Sequence, residues 1–176
     1  MKRKKNIILI GMMGSLKSTV GRLLSERLGR VFVDADDLYE QTYGVSVTET
    51  FAIGGEALFR TREAAILRTL TKKTDAVLAL GGGAVLHRAE MEALKTTGVT
   101  VFLYAAPEAI ARRLKGDRTR PLLAQGDPTE KLKELYDARL SLYERFADIR
   151  IDNSDLDGTE TATAALCAID RFDQKK

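Results

Sequence analysis

The chain has 176 residues, of which 44% are hydrophobic and 30% are charged, with a single cysteine and no tryptophan. These values are typical of one globular domain that buries roughly two-thirds of its unfolded surface. One cysteine excludes a disulfide scaffold, and no apolar stretch approaches the about 18 residues that a transmembrane helix needs. The basic residues at 2–5 precede too short an apolar stretch for a signal peptide, so we expect a cytoplasmic protein.

The formal net charge of +3 comes from the basic start of the chain. Lys2, Arg3, Lys4 and Lys5 supply four positive charges, and without them the formal charge is −1. A nucleic-acid-binding protein needs a basic surface that matches the phosphate backbone. We therefore expect no nucleic-acid partner, and we separately expect a monomer with no membrane partner.

Predicted strands and helices alternate along the chain. Short apolar or β-branched stretches predict buried strands at 7–10, 31–33, 76–80, 99–104 and 149–151. Helical periodicity and capping residues predict helices at 17–28, 56–71, 88–96, 107–114, 128–146 and 159–172. Crossover connections of this length make neighbouring strands parallel. The sequence thus predicts an α/β fold, a three-layer doubly wound sandwich with a five-stranded parallel sheet in a single domain over 1–176.

Two segments do not fit this alternation. Residues 39–56 and 115–128 mix glycine, charged and turn-forming residues where a shorter connection would suffice. They are either ordinary surface loops or functional insertions. In the functional interpretation, a substrate-binding insertion covers about 35–62 and a lid covers about 115–128.

The residues after the first predicted strand nearly match a phosphate-binding loop. The run is Gly11-Met12-Met13-Gly14-Ser15-Leu16-Lys17-Ser18-Thr19, which we call the phosphate loop, and a predicted helix follows. Glycines let consecutive amide groups converge on phosphate oxygens, and the helix N-terminus adds the positive end of its dipole. We expect Lys17 to bridge the β- and γ-phosphates of a nucleotide and the Ser18 hydroxyl to bind Mg²⁺.

Leu16 departs from this pattern, which has glycine directly before the lysine. If the position requires a left-handed backbone, a branched residue costs about 1–2 kcal/mol. The side chain would also crowd the bound phosphates. Our hypothesis is that Leu16 weakens nucleotide binding or turnover.

A pair of carboxylates follows the second predicted strand. Asp34 and Asp36 are two residues apart and would share one face of an extended chain. One would serve the water shell of the metal ion and the other a substrate hydroxyl. The alternative is an acidic N-cap for the next helix.

Three consecutive glycines, Gly81, Gly82 and Gly83, follow the third predicted strand, and we call them the glycine triplet. Ordering such a run is entropically costly, so it indicates a backbone that other groups approach closely. A tight strand-to-helix turn is the alternative.

Several arginines are candidates for binding an anion, because a guanidinium group binds carboxylate or phosphate through two hydrogen bonds. They are Arg60, with Glu63 one turn later, Arg113, Arg118, Arg120 and Arg139. Each of these arginines, taken alone, would be interpreted as a surface residue that promotes solubility.

His87 and Cys167 are not candidate site residues. His87 has no nucleophile or metal-ligand partner at a recognisable spacing, and we expect it to be structural. Cys167 lies among apolar residues, and we expect it to be packed in the last helix.

Six motifs, in this order, resemble those of the shikimate kinase family over about residues 6–153. They are the phosphate loop, the Asp34 and Asp36 pair, Phe-x-x-x-Gly-Glu-x-x-Phe-Arg at 51–60 with Glu63, Leu-Gly-Gly-Gly-Ala at 80–84, Arg-Pro-Leu-Leu at 120–123, and Arg139 followed by Tyr143. The resemblance implies a P-loop NTPase type fold and ATP-dependent phosphorylation of the 3-hydroxyl of shikimate to shikimate 3-phosphate, in aromatic amino acid biosynthesis. The alternatives are another small-molecule kinase, such as one acting on gluconate, and a non-catalytic relative impaired by Leu16.

On the nucleotide side, the resemblance implies that the phosphate loop binds ATP through Gly11, Gly14, Ser15, Leu16, Lys17, Ser18 and Thr19. Ser18 and Asp34 would bind Mg²⁺. Arg113 would lie along the adenine, and the adenine-contacting loop would fall near Asn153. Arg120 would close from the lid onto the transferring phosphoryl group.

On the acceptor side, the resemblance implies that Asp36 contacts the hydroxyl that is phosphorylated. Arg60, Arg139 and the backbone of the glycine triplet would hold the substrate carboxylate, with Glu63 supporting that pocket. The implied catalytic residues are Lys17, Asp36 and Arg120.

Overall fold

A parallel sheet forms the centre of the computed structural model, which describes residues 5–115 and 127–175. Within these residues, five strands lie in the order β2-β3-β1-β4-β5. They are β1 (Asn6–Ile10), β2 (Val31–Asp34), β3 (Ala76–Ala79), β4 (Gly98–Tyr104) and β5 (Ile149–Asp152). Every neighbouring pair is parallel, and Ile8 of β1 lies opposite Leu78 of β3 and Thr100 of β4. The predicted fold class is confirmed, and each predicted strand end lies within one residue of the observed one.

Helices cover both faces of this sheet. They are α1 (Lys17–Leu28), α2 (Ala35–Tyr43), α3 (Val47–Leu70), α4 (Arg88–Lys95), α5 (Pro107–Arg113), α6 (Pro128–Phe146) and α7 (Gly158–Gln174), with a 3-10 turn at Ala84–Leu86. Because strand side chains alternate between faces, Ile7 and Leu9 pack with α1 and α7, whereas Ile8 and Ile10 pack with the helices of the other face. The result is the predicted three-layer sandwich.

The segment 39–56 is not a surface loop, so that interpretation is wrong. Asp34 caps α2, and a Ser46 and Glu49 capping box begins α3. Gly55, with φ 65° and ψ −166°, interrupts α3, so its second part begins at the predicted position. The capping box was the sequence signal that could have identified the first part of α3.

The structure contradicts one further expectation, for Cys167, and does not describe most of the predicted lid. Cys167 is exposed rather than packed, because α7 buries the face that carries Ala162, Ala165 and Ile169. Most of the predicted lid, residues 116–126 with Arg118 and Arg120 among them, lies outside the described residues. In the described part of the chain, no helix combines the length and the apolar character that crossing a membrane would require.

Candidate active site

A pocket of about 170 Å³ opens where β1, β2 and β3 end. The carboxyl ends of parallel strands are the expected ligand site of a doubly wound sheet. The phosphate loop, the acidic pair and the start of the glycine triplet form its walls, through Met13, Gly14, Leu16, Lys17, Ser18, Thr19, Asp34, Asp36, Leu80, Gly81 and Gly82. Three motifs that are separate in the sequence therefore share one cavity.

The phosphate loop has the backbone that its glycines permit. Gly11 has φ 151°, and a Cβ at this position would lie 2.4 Å from the carbonyl oxygen of Leu103. Gly14 has φ 73°, in the left-handed region. Lys17 Nζ lies 2.9 Å from the carbonyl oxygens of Gly11 and Met12, so its positive charge is held at the loop.

Leu16 adopts the left-handed conformation, with φ 68° and ψ 19°. This is the conformation for which the sequence pattern reserves a glycine, and it is the position at which α1 begins. The side chain lines the pocket and also packs against the apolar layer beneath α1 and α7. The backbone cost considered for Leu16 therefore applies in this fold.

The acidic pair lines the pocket, but not in the way an extended chain would arrange it. Asp34 ends β2 and Asp36 is already inside α2. Asp34 Oδ1 accepts a hydrogen bond from the Asp36 amide at 2.9 Å, which confirms the N-cap interpretation. Its other oxygen, Oδ2, accepts a hydrogen bond from the Ser18 hydroxyl at 2.5 Å. A hydroxyl beside a carboxylate fits Mg²⁺, which prefers oxygen ligands and retains several waters.

The glycine triplet is a point of close approach, as predicted. A Cβ on Gly81 would lie 3.0 Å from Glu63 Oε1 and 3.2 Å from Asp36 Oδ1. A Cβ on Gly82 would lie 3.2 Å from the amide nitrogen of Met13 in the phosphate loop. The strand-to-helix turn is also present, since the 3-10 turn follows directly.

Arg60 lies between two carboxylates of its own helix. Its guanidinium donates to Glu63 Oε2 at 2.6 Å and to Glu56 Oε1 at 2.9 Å. His87 Nε2 lies 2.8 Å from the same Oε2 atom of Glu63. Sequence reasoning missed His87, because its partner is 24 residues away and no local spacing reveals the contact.

A second arginine reaches the triplet from α6. Arg139, only 5% exposed, donates to the Gly82 carbonyl at 3.4 Å. The Tyr143 hydroxyl donates to the same carbonyl at 2.5 Å, and its ring stacks on Phe102 at 4.9 Å between centroids. Burial raises the pKa of Tyr143, so the hydroxyl remains a donor through the neutral pH range. Residues from α3 and α6 thus converge on the triplet.

Arg113 at the end of α5 and Asn153 directly after β5 both bond to carbonyl groups of the phosphate loop. Arg113 donates to the carbonyls of Asn153 at 2.5 Å and Gly14 at 3.3 Å. Partial burial, assisted by neighbouring Arg112, lowers the pKa of Arg113. Asn153 is fully buried and donates from Nδ2 to the Ser15 carbonyl at 2.9 Å. The loop after β5 is therefore bonded to the phosphate loop.

Comparison with known proteins agrees with this geometry. The family model described as shikimate kinase matches residues 13–170. This chain belongs to the shikimate kinase family. A shikimate kinase from Thiobacillus denitrificans is 44% identical over 154 residues, which are 88% of this chain and 84% of that protein.

A second family member covers the chain almost completely. The shikimate kinase of Thermodesulfovibrio yellowstonii is 40% identical over 172 residues, which are 98% of this chain and 99% of that protein. The solved shikimate kinase from Acinetobacter baumannii in complex with shikimate superposes with a TM-score of 0.92 at 39% identity, covering 96% of this chain and 94% of that one. The chain is thus a kinase with the P-loop NTPase fold, as the motifs predicted.

Proposed function

We propose that the protein transfers the γ-phosphoryl group of ATP to the 3-hydroxyl of shikimate, which yields shikimate 3-phosphate in aromatic amino acid biosynthesis. The observation that carries this proposal is the meeting of two arginines and the phosphate loop at one glycine triplet. Arg60 lies against Gly83, Arg139 bonds the Gly82 carbonyl, and Gly82 lies against Met13 of the phosphate loop. An anion held by these arginines would place its body next to the nucleotide phosphates.

The nucleotide would bind through the phosphate loop. Its amide groups and Lys17 provide positive charge where the transition state of phosphoryl transfer carries negative charge. The Ser18 hydroxyl and the Asp34 carboxylate would hold Mg²⁺, which when bound neutralises charge on the β- and γ-phosphates. Arg113 and Asn153, which lie beside the loop, would border the adenine.

The carboxylate of the acceptor would bind to Arg60 and Arg139. Both guanidinium groups match the planar geometry of a carboxylate, and both are largely buried, so water screens their charge weakly. Glu63 would hold Arg60 in place, and the backbone of Gly82 and Gly83 would complete the contact. This arrangement supports an anionic acceptor rather than a neutral sugar.

Asp36 would orient the acceptor hydroxyl. Its carboxylate lines the pocket and flanks Gly81, on the side of the triplet that faces Glu63. Phosphoryl transfer depends more on positioning and charge neutralisation than on covalent catalysis, so Asp36 needs to align the hydroxyl and accept its proton late. Closure of the segment 115–128, with Arg120, would exclude water and limit ATP hydrolysis.

We also propose that the protein works as a cytoplasmic monomer formed by one domain over 1–176, without a nucleic-acid or membrane partner. The near-neutral charge beyond residue 5 supports the absence of a nucleic-acid partner, and a single cysteine, which cannot form an intramolecular disulfide, supports a cytoplasmic location.

An ADP-release assay with three reactions tests the proposed function. MgATP is supplied with shikimate, with gluconate or with no acceptor. We expect ADP release to depend on shikimate. Release that depends on gluconate would identify another small-molecule kinase, and no acceptor-dependent release would indicate a non-catalytic relative.

A pair of arginine variants tests the carboxylate site. Arg60→Ala should raise the KM for shikimate by about tenfold or more, since a largely buried charge-assisted hydrogen bond contributes about 1.5–3 kcal/mol. Arg62→Ala removes the same charge from the same helix, but Arg62 stacks on Tyr43 at 4.6 Å, and its KM should stay close to the parent value. An unchanged KM for Arg60→Ala would refute carboxylate binding at Arg60.

A further inference from the structure

His87 shares a carboxylate oxygen with Arg60. Glu63 Oε2 lies 2.8 Å from His87 Nε2 and 2.6 Å from Arg60 Nη1. An ionised carboxylate only accepts hydrogen bonds, so the imidazole must carry its proton on Nε2 to bond Glu63. His87 therefore contacts Arg60 indirectly, through one atom.

The fold directs this imidazole toward Glu63. The glycine triplet and the 3-10 turn lead into His87, which stands at the N-cap position of α4 but makes no capping hydrogen bond with its side chain. The imidazole is 13% exposed and the Glu63 side chain 8%, so the contact is shielded from water. Electrostatic effects between the two groups are consequently stronger than at the protein surface.

We propose that His87 is a positioning residue of the acceptor site, which sets through Glu63 how strongly Arg60 is available to an anionic substrate. The inference rests on the proposed function, in which Arg60 binds the substrate carboxylate. When His87 is protonated, its positive charge offsets Glu63 and leaves Arg60 freer for the substrate. When His87 is neutral, Glu63 holds Arg60 more tightly and the affinity for the anion falls.

The other charged groups near His87 keep a constant charge around neutral pH, so they would not change the availability of Arg60 with pH. On α4, Glu90 bonds Arg68 at 2.7 Å. Partial burial acts to raise the pKa of Glu90, but its own backbone amide, Arg68 and His87 together lower it. Glu90 thus stays ionised where a histidine titrates, between roughly pH 5.5 and 7.5. From α6, Arg139 reaches Gly82 and keeps its charge throughout.

Protonation of His87 and binding of the anion are thermodynamically linked. If a protonated His87 favours the bound anion, then the bound anion must favour the protonated imidazole by the same factor. Movement of Arg60 from Glu63 to the substrate acts in the same direction, because it leaves the Glu63 carboxylate to His87 alone.

The chain contains one histidine, so NMR of the imidazole nitrogens in ¹⁵N-histidine-labelled protein reports His87 without assignment. We expect saturating shikimate to increase the protonated fraction of the His87 imidazole at a fixed pH, with roughly threefold coupling. Calorimetry on the same sample establishes that shikimate is bound. Binding without a change in the imidazole nitrogen signals of His87 would overturn this inference alone, whereas absence of shikimate binding would overturn the proposed function as well.

Two variants separate positioning from general stability. His87→Ala should raise the KM for shikimate severalfold and leave kcat and the KM for ATP nearly unchanged. His87→Gln retains an N–H donor but cannot be protonated, so its KM for shikimate should stay near the value that the parent protein reaches at high pH and should not rise with pH. Equal pH profiles for His87→Gln and the parent protein would contradict the inference.

Discussion

Arg60 lies so close to Gly83 that a Cβ at residue 83 would stand 2.1 Å from its Nη1 atom. The backbone does not require glycine there, since φ −93° and ψ −4° are accessible to any residue. The glycine is needed because the guanidinium occupies the space that a side chain would fill. The absence of a side chain at residue 83 therefore allows the Arg60 guanidinium to lie against the glycine triplet.

A methyl group at residue 83 should act on the acceptor site. Gly83→Ala is expected to displace Arg60 and to raise the KM for shikimate by about tenfold, a loss of about 1.4 kcal/mol. The companion variant Gly82→Ala places its Cβ 3.2 Å from the Met13 amide, so, unlike Gly83→Ala, it should also raise the KM for ATP. Steady-state kinetics with each substrate varied measures both. An unaltered shikimate KM in Gly83→Ala would contradict the close contact.

Substitutions at Leu16 separate two effects, the strain of its left-handed backbone and the crowding of bound phosphates by its side chain. The loop already has the left-handed geometry, so strain at Leu16 is a cost of folding and does not itself weaken nucleotide binding. Crowding of the bound phosphates by the side chain, which lines the pocket, does weaken nucleotide binding. Leu16→Ala and Leu16→Gly should therefore tighten MgATP binding equally, by roughly threefold to tenfold.

Calorimetric titration of MgATP against the parent and both Leu16 variants provides the measurement. Since alanine retains the Cβ that disfavours left-handed backbone, a gain confined to Leu16→Gly would assign the effect to strain. Equal affinity in all three proteins would remove the hypothesis that Leu16 impairs binding.

Two buried tyrosines on α6 form a matched pair. Tyr143 donates to the Gly82 carbonyl, and Tyr136 donates to the Ala105 carbonyl at 2.6 Å. Replacing either by phenylalanine should lower the free energy of unfolding by about 1–2 kcal/mol, because a buried carbonyl loses a donor. Only Tyr143→Phe should raise the KM for shikimate, since only this hydroxyl holds the triplet. Denaturant unfolding together with kinetics checks both effects, and an equal KM in the two variants would argue against the role of Tyr143.

Arg120 lies outside the described residues, and its role stays a prediction from the sequence. If it closes onto the transferring phosphoryl group, Arg120→Ala should lower kcat by about a hundredfold or more while the shikimate KM changes little. The reverse pattern in steady-state kinetics would contradict the lid role.

Much of the fold was predictable because strand and helix signals were local. Asp127 and Pro128 marked the start of α6, and the observed helix runs over Pro128–Phe146 as expected. The order of the strands did not follow from local signals, because it depends on which strands pair across the sheet. The helical character of 39–56 was missed because Gly44, Gly54 and Gly55 resemble loop residues, although Gly44 is a left-handed C-cap.

The candidate site was predictable where a motif carried its own chemistry. The phosphate loop and the acidic pair line one pocket, as their positions after β1 and β2 suggested. The roles of Tyr143 and His87 in holding Gly82 and Glu63 were not predictable, because each contact joins elements that are distant in sequence. Such contacts leave no periodicity and no spacing in the chain.

Phosphorus NMR of the complete reaction tests the central claim most directly. MgATP and shikimate are incubated with the protein, and the fate of the γ-phosphoryl group is followed. The account predicts a new phosphate monoester signal, coupled to the proton at carbon 3 of shikimate, that grows in step with ADP. Formation of inorganic phosphate alone, or ATP that persists unchanged in the presence of shikimate, would contradict it.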